Sequence, residues 1–288
     1  MAKVQSSLGE LYFYHIEDTL KAEECFVQAI NLYSLAENNR TNTYESIEDL
    51  VSFDKNKYKA DLSYNQQFLG ILYYFMDEYE KADSLLRLAY DNYILYFDTH
   101  PNKDIEEKDM AIIAKISYYE AMTLGYMSKM EEYDKWLSRA TGNYEQLHEA
   151  LPNNNTYKNR LLYLRYYQAR RDADLNKPDE SIELLMHCQE TGNISDNSLA
   201  AGYNAAAYAY AREKKYEKAL ETIDRAIALI PEEANLYDSK GEILLMKGDE
   251  QEAVKMWQKV LELDPDFLKK YDGGTDFYKQ LKEKGLIE

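Results

Sequence analysis

The feature that most constrains this chain is a pattern over residues 200–267 that repeats after 34 residues. Tyr203 is followed at that interval by Tyr237, and Pro231 by Pro265. Each proline forces the residue before it out of helical geometry and so ends a helix. The pattern predicts two copies of a helix–turn–helix unit, and such a unit buries its apolar face only by stacking on neighbours.

Small residues in the pattern indicate where paired helices approach each other. We expect Ala207 to face Ala219 in the first copy, and Gly241 to face Ala253 in the second. Large side chains fill the space beside these crossings, namely Tyr203, Tyr210, Tyr237, Leu244 and Trp257. A leucine at Gly241 should therefore overpack its crossing.

The interval and the order of large and small residues resemble the tetratricopeptide repeat (TPR) family. The resemblance implies an all-α fold, a right-handed TPR-type helical solenoid of about five to six helix–turn–helix units plus a C-terminal capping helix. It divides the chain into irregular TPR-like repeats with long helices at 1–199, two regular units at 200–267, and a capping helix with its tail at 268–288.

Less regular copies of the pattern precede residue 200, and their spacing shortens toward the C-terminus. The predicted units lie near 2–35, 66–97, 118–147 and 157–191. Residues 37–46 are polar and predict a loop, followed by a helix at 47–62. Residues 275–284 predict a final amphipathic helix that covers the last open face of the stack.

The net charge of −18 argues against nucleic acid and anionic membranes as partners, and favours a basic or neutral ligand. The sequence has no run of 18 apolar residues, so no transmembrane segment is expected. The helical pattern begins almost at residue 2, so we expect an N-terminal portion to be missing. No signal peptide is present, which slightly favours the cytoplasm.

No enzyme signature is found in the sequence. His148-Glu149 begins like a zinc-protease motif, but Pro152 occupies the position of the second histidine. Cys25 and Cys188 lie inside predicted helices, where a buried free thiol is the expected state. We therefore predict no catalytic residue, no metal site and no cofactor, and expect a protein that is not an enzyme.

Aromatic residues are in excess, with 28 tyrosines. In the TPR family the first helix of each unit lines a concave groove, and the resemblance implies that Tyr64, Gln67, Tyr74, Tyr118, Tyr163, Tyr166, Arg170, Asn204, Tyr208 and Arg212 bind a ligand there. The same reasoning places Phe13, Tyr14, Ile71, Phe75, Asp238 and Glu242 in the groove. The alternative for each tyrosine is packing between helices. For Arg170 and Arg212 the alternatives are holding a carboxylate of a ligand and pairing with a neighbouring Glu or Asp.

These expectations favour a scaffold that binds a protein or peptide segment in a tyrosine-lined concave groove. The alternative is a sensory or regulatory TPR segment of a larger bacterial regulator that binds a short signalling peptide. The groove positions Asn204, Tyr208 and Ser239 lack the lysines of the TPR clamp for chaperone C-termini, which argues against that particular activity.

Overall fold

A computed structural model of the chain describes residues 1–16, 18–40, 58–99, 107–270 and 275–287, with only the backbone described at 36–40. Over these residues the secondary structure is helical and includes no strand, so the predicted all-α class is confirmed. The chain forms two compact units, Met1–Lys158 and Asn159–Glu288. The sequence-based division at residues 199 and 267 stays a prediction.

The first compact unit is built from helices that pair in chain order. They are α1 (Ala2–Leu11), a π-helical turn (Tyr12–Ile16), α2 (Thr19–Arg40), α3 (Lys59–Phe75), α4 (Tyr79–Asp98), α5 (Glu107–Tyr126) and α6 (Met130–Ala150). α1 packs on α2, α3 on α4 and α5 on α6, which makes each pair a hairpin. The hairpins stack because α2 contacts α3, α4 contacts α5, and α3 contacts α5.

The second compact unit continues the same arrangement. Its helices are α7 (Asn155–Asp174, which starts at the end of the first unit), α8 (Pro178–Thr191), α9 (Asp196–Arg212), α10 (Tyr216–Leu229), α11 (Ala234–Lys247), α12 (Glu250–Leu263), α13 (Phe267–Lys270) and α14 (Asp276–Glu283). Leu162, Leu185, Tyr203 and Ile223, from four successive helices, belong to one buried core. α9 contacts α11, so the first helices of consecutive hairpins are neighbours here too.

One turn recurs between the two helices of every hairpin from α3/α4 onward. Its middle residue has a left-handed backbone, at Asp77 (φ 59°), Ser128 (φ 58°), Asn176 (φ 55°), Lys214 (φ 61°) and Gly248 (φ 93°). The following N–H donates back into the first helix, as in Lys129 N to Leu124 O at 3.0 Å and Asp249 N to Leu244 O at 2.9 Å. This Schellman geometry caps the first helix and reverses the chain, and it is shared by irregular and regular hairpins.

Glycines permit close helix crossings, as the pattern predicts. A Cβ on Gly70 would lie 2.9 Å from the Leu86 side chain on the paired helix. At Gly241 the closest atoms belong to the Phe277 ring of α14, a contact that the sequence did not predict, and the approach of Gly241 to Ala253 stays a prediction. The small residue at Gly241 is therefore required by the terminal helix.

The terminal helix α14 corresponds to the predicted cap. The Thr275 hydroxyl accepts a hydrogen bond from the Tyr278 N–H at 3.3 Å and so caps its N-terminus. Phe277 and Leu281 are fully buried, and the Phe277 ring lies 6.2 Å from Trp257. The helix covers the apolar face that α11 and α12 would otherwise expose.

One local prediction is wrong. Residues 37–40, expected in a loop, continue α2 to Arg40. No Gly or Pro interrupts the chain there, so the polar residues extend a helix already anchored by buried Phe26, Ala29 and Tyr33. Residues 41–46 of that loop and 47–57 of the expected helix lie outside the described residues.

Candidate functional site

The first compact unit carries a surface of aromatic rings at the C-terminal ends of α1, α3 and α5. We call it the aromatic surface, and it consists of the partly exposed rings of Phe13, Tyr14, Tyr74, Phe75, Tyr79 and Tyr126 together with the buried rings of Phe68 and Tyr119 (4% and 7% exposed) that pack against them. Phe13 and Tyr14 follow α1, Phe75 ends α3 and Tyr126 ends α5. Because α3 lies beside α5, the ends of these helices bring their rings together.

The rings form a continuous path. The centroid separations are 6.4 Å for Phe13–Phe75, 5.9 Å for Phe75–Tyr119, 5.4 Å for Tyr119–Tyr74 and 5.9 Å for Tyr74–Tyr126. Most pairs meet edge to face, an arrangement that fixes ring orientation. Tyr14, Phe75 and Tyr126 are 50%, 59% and 63% exposed, so the path is open to solvent at several points. Exposed apolar clusters of this kind mark interaction sites.

Charged groups lie directly on this surface. The Tyr79 hydroxyl donates to Asp77 Oδ1 at 2.6 Å, and that hydrogen bond raises the pKa of Tyr79 to about 12. Lys115 Nζ donates to the Tyr14 hydroxyl at 3.2 Å and lies 4.7 Å from the centre of the Phe68 ring. The aromatic surface thus combines rings with a carboxylate at one end and an ammonium group at the other.

The predicted site residues of the first unit occupy different environments. Tyr74 belongs to the aromatic surface, and the half-buried Tyr64 ring lies 4.8 Å from Phe68. Burial raises the pKa of Tyr64, and the Glu10 carboxylate adds to the effect. Gln67 and Tyr118 are only 1% and 8% exposed, so their side chains are packed among the helices. Ligand contact by these residues stays a prediction.

The second compact unit presents polar groups on α9 and α11, which we call the polar surface (Asn204, Tyr208, Asp238 and Glu242). Tyr208 donates to Glu242 Oε2 at 2.7 Å, and Thr275 Oγ1 donates to Asp238 Oδ1 at 2.8 Å. Burial raises the pKa of Asp238 to about 6, and nearby Glu242 adds to the shift. Asn204 Oδ1 is buried and makes no hydrogen bond. This surface is acidic and mostly paired internally.

The remaining predicted residues differ in their accessibility. Tyr163 is 39% exposed and Arg170 is also exposed, whereas Tyr166 is 6% exposed and belongs to the buried core. Arg212 donates from Nε to Asn176 Oδ1 at 2.7 Å and from an Nη to the Ala173 carbonyl at 2.8 Å. Neither partner is the neighbouring carboxylate that the sequence suggested as the alternative to a ligand. The Arg212 guanidinium instead stabilises the turn between α7 and α8.

An ionic cluster joins α4, α5 and α6, and among its members Glu120 is fully buried. The Arg87 Nε–H donates to Asp83, an Nη lies 2.6 Å from Glu132, and Lys129 Nζ lies 2.8 Å from Asp83. Fully buried Glu120 lies 2.9 Å from Arg87 Nε, yet neither of its oxygens makes a hydrogen bond. Burial and the Asp83 charge raise the pKa of Glu120 to about 9, against the opposing effect of Arg87 and Lys129. Burial therefore favours the protonated form of Glu120.

The other candidates for chemistry have structural surroundings. Cys25 and Cys188 are buried free thiols, and burial raises the pKa of Cys188 to about 11. His187 Nε2 lies 2.7 Å from an Arg165 nitrogen. Within the described ranges, no three His, Cys, Asp or Glu side chains are placed to hold a metal ion. Of the helices that the structure describes, none combines the length and apolar character needed to cross a bilayer.

The family comparison agrees with the repeated turn and the small-residue crossings. A family model described as tetratricopeptide repeat matches residues 200–233 and 234–267. This chain carries TPR units. The matched residues are the hairpins α9/α10 and α11/α12, so the resemblance inferred from the sequence is confirmed. Among curated proteins none matches the sequence.

Several solved structures are similar at low sequence identity. MamA AMB-1 is 16% identical, with a TM-score of 0.47 over 69% of this chain and 98% of its own. MamA 41-end from Desulfovibrio magneticus RS-1 is 17% identical, with a TM-score of 0.44 over 72% and 96%. BtubC from P. vanneervenii is 14% identical, with a TM-score of 0.46 over 83% and 90%.

Sequence reasoning missed four rings of the aromatic surface, and it missed the buried Glu120. Phe68, Tyr79, Tyr119 and Tyr126 were not among the expected groove residues, because the groove positions were transferred from an alignment of irregular units. Glu120 had a detectable signal. It lies four residues from both Ile116 and Leu124, on the apolar face of α5.

Proposed function

We propose that this protein is a TPR scaffold that binds a segment of another protein on the aromatic surface of its first compact unit. The observation that carries the proposal is the continuous path of rings from Tyr14 to Tyr126, with its ends exposed. Aromatic rings held in fixed orientations provide large contact area at low entropic cost, which is typical of residues that dominate interfaces.

Within this proposal some of the predicted site residues contact the bound segment directly, and others hold the helices that carry those contacts. Tyr74 contacts the bound segment, and Tyr64 extends the contact along α3. The buried Gln67, Tyr118 and Tyr166 act by holding their helices in place. In the second unit Arg170, Tyr163 and Tyr208 are the accessible candidates for additional contacts, with Asn204 and Arg212 positioning the helices around them.

Site-specific photocrosslinking tests this function. A photoreactive phenylalanine analogue replaces Phe75 or Tyr126, and the full chain is irradiated in an extract of its source organism. We expect protein adducts at both positions that are competed by excess unmodified chain. The control position is Leu261, which is 37% exposed on α12. Equal crosslinking at Leu261, or no adduct at positions 75 and 126, would show that the aromatic surface does not bind protein.

A further inference from the structure

The end of the aromatic surface formed by Tyr79 and Tyr126 has the features of a cation site. The two rings stack at 4.9 Å with 4° between their planes, and Tyr74 meets both edge-on. Tyr126 is 63% exposed, so the face of its ring that does not stack is accessible. An accessible tyrosine face attracts ammonium and guanidinium groups through the ring quadrupole.

A carboxylate lies beside this pair of rings. Asp77 is exposed in the turn after α3, where its left-handed backbone (φ 59°) orients it, and its Oδ1 accepts from Tyr79. A carboxylate oxygen accepts more than one hydrogen bond, so a second donor can approach Asp77 from solvent. A ring face and a carboxylate together favour a positive group over a neutral one.

The helix ends under the aromatic surface add negative potential. α3 and α5 both end there, and neither has a basic residue in its last turn, whereas the π-helical turn that continues α1 carries His15. The negative end of a helix dipole favours a cation. The equivalent helices α7, α9 and α11 carry Arg171, Arg212 and Lys247 in their last turns. The absence of a basic residue from the last turn is therefore particular to α3 and α5 at the aromatic surface, and the first helices of the later hairpins do not share it.

Nearby lysines of the chain are engaged elsewhere. Lys81 Nζ lies 3.4 Å from Glu78 and 4.9 Å from the centre of the Tyr73 ring, and Lys129 lies 2.8 Å from Asp83. Lys115 lies on Phe68 at the other end of the surface, which shows that rings of this surface accommodate an ammonium group.

We propose that the aromatic surface selects a basic protein segment, with one Lys or Arg side chain of that segment lying on Tyr126 and another pairing with Asp77. This inference rests on the proposed function and narrows its partner to a positively charged chain. The overall charge of −18 supports the encounter at long range, but the stacked rings and Asp77 fix where the basic side chains bind.

The test uses three short, fluorescently labelled peptides that have the same leucine and serine residues. The remaining positions are lysine in the first peptide, glutamine in the second and glutamate in the third. Binding to the full chain is measured by fluorescence anisotropy at low and at physiological salt. We expect the lysine peptide to bind most tightly. Tyr126→Ser, Tyr126→Leu and Asp77→Asn should each weaken it about tenfold at physiological salt. Asparagine tolerates the left-handed turn, and circular dichroism checks that each variant is folded.

Matched controls separate local recognition from bulk charge. Glu217→Gln removes an equally negative, 82% exposed carboxylate from the second unit, and Leu261→Ser removes an exposed apolar side chain there. Both should change binding of the lysine peptide less than about twofold. If Glu217→Gln weakens binding as much as Asp77→Asn does, the attraction is non-specific and the inference is overturned.

The remaining outcomes distinguish this inference from the proposed function. If the glutamine peptide binds as tightly as the lysine peptide and loses binding with Tyr126→Ser, the surface binds protein segments but does not select basic ones. If neither Tyr126→Ser nor Phe75→Ser changes the binding of any peptide, both the inference and the proposed function fail.

Discussion

The two compact units use the same hairpin turn but fill the space between hairpins differently. The first places Arg87, Asp83 and the buried carboxyl group of Glu120 at the junction of α4, α5 and α6. The second packs alanines and tyrosines at the corresponding junction of its own hairpins, among them Ala207 and Tyr203. The comparison shows that the turn and the helix crossings determine the repeat geometry. That geometry tolerates ionisable side chains at the junction between hairpins.

The units also differ at their helix ends. In the first unit the ends of α3 and α5 carry exposed rings without a basic residue. In the second, Arg212 is bonded to Asn176, and Tyr208 to Glu242. Arg212 and Tyr208 thus join neighbouring helices of the second unit, whereas Phe75 and Tyr126 of the first unit are exposed.

The largest effect on stability is expected when the ionic cluster of the first unit loses Arg87. Arg87→Ala leaves Lys129 as the one cation that the structure describes in the cluster of Asp83, Glu120 and Glu132, and should lower the free energy of unfolding by about 3 kcal/mol, the lower end for a broken buried pair because Arg87 is partly exposed. Urea denaturation of the full chain measures it. The matched change in the second unit is Lys218→Ala, which removes an exposed ion pair with Asp179 and should cost less than about 1 kcal/mol. Similar costs for the two variants would remove the contrast between the units.

The next effect tests the second unit's apolar packing. Gly241→Leu places a side chain where the Phe277 ring lies, and should lower the free energy of unfolding by about 1–3 kcal/mol. Phe277→Ala introduced with it should make the double variant less destabilised than the sum of the single changes. Strict additivity in the denaturation midpoints would mean that α14 does not pack over Gly241.

A smaller effect concerns the pH dependence of the first unit. Glu120 has a folded pKa near 9 against an ordinary value of 4.5, so the native state binds the extra proton between these values. The free energy of unfolding should therefore fall as pH rises through this window, by at most about 1.4 kcal/mol per pH unit from this group. Glu120→Gln keeps the shape, cannot lose a proton, and should flatten the decline.

The comparison is made between about pH 6.5 and 8, above the window in which Asp238, with its pKa of about 6, contributes to the slope. Urea midpoints for the wild type and Glu120→Gln should diverge in favour of the variant as pH rises. Parallel curves for the two proteins would show that Glu120 is already ionised in the folded state.

The smallest effect tests the shared turn. Lys214→Gly relieves a left-handed backbone that a lysine adopts at a cost, and should raise the free energy of unfolding by about 0.5 kcal/mol after the entropy of glycine is counted. Gly248→Ala makes the reverse change at the equivalent position and should destabilise the chain. Thermal melting compares the two, and shifts of the same sign would contradict the equivalence of the turns.

The sequence predicts the hairpins well because their signals are local. Ala82, Ala140 and Ala219 mark buried crossing positions in irregular and regular hairpins alike, and Pro178 starts α8 as its position suggests. The contact of Gly241 with Phe277 was not predicted, because it joins distant parts of the chain that no short-range pattern connects. The continuation of α2 to Arg40 was missed because polar residues fit either a loop or an exposed helix.

The candidate site is less predictable than the fold. A tyrosine on a first helix can be buried like Tyr118 or exposed like Tyr126, and the sequence pattern around the two is similar. Their difference arises from where each helix ends relative to its neighbour. The pairing of Arg212 with Asn176 likewise depends on a turn in the preceding hairpin, so it is a tertiary property that spacing alone does not encode.

The cover over Gly241 has a consequence for how this architecture could be extended. α14 contacts α11, which is the position that the opening helix of another hairpin would need. The Phe277 ring fills this packing position, so the first helix of a further hairpin cannot pack on α11 while α14 lies there. Removing residues 275–287 would expose Trp257. The uncovered face of α11 and α12 could then accept an additional helical hairpin, which would lengthen the array.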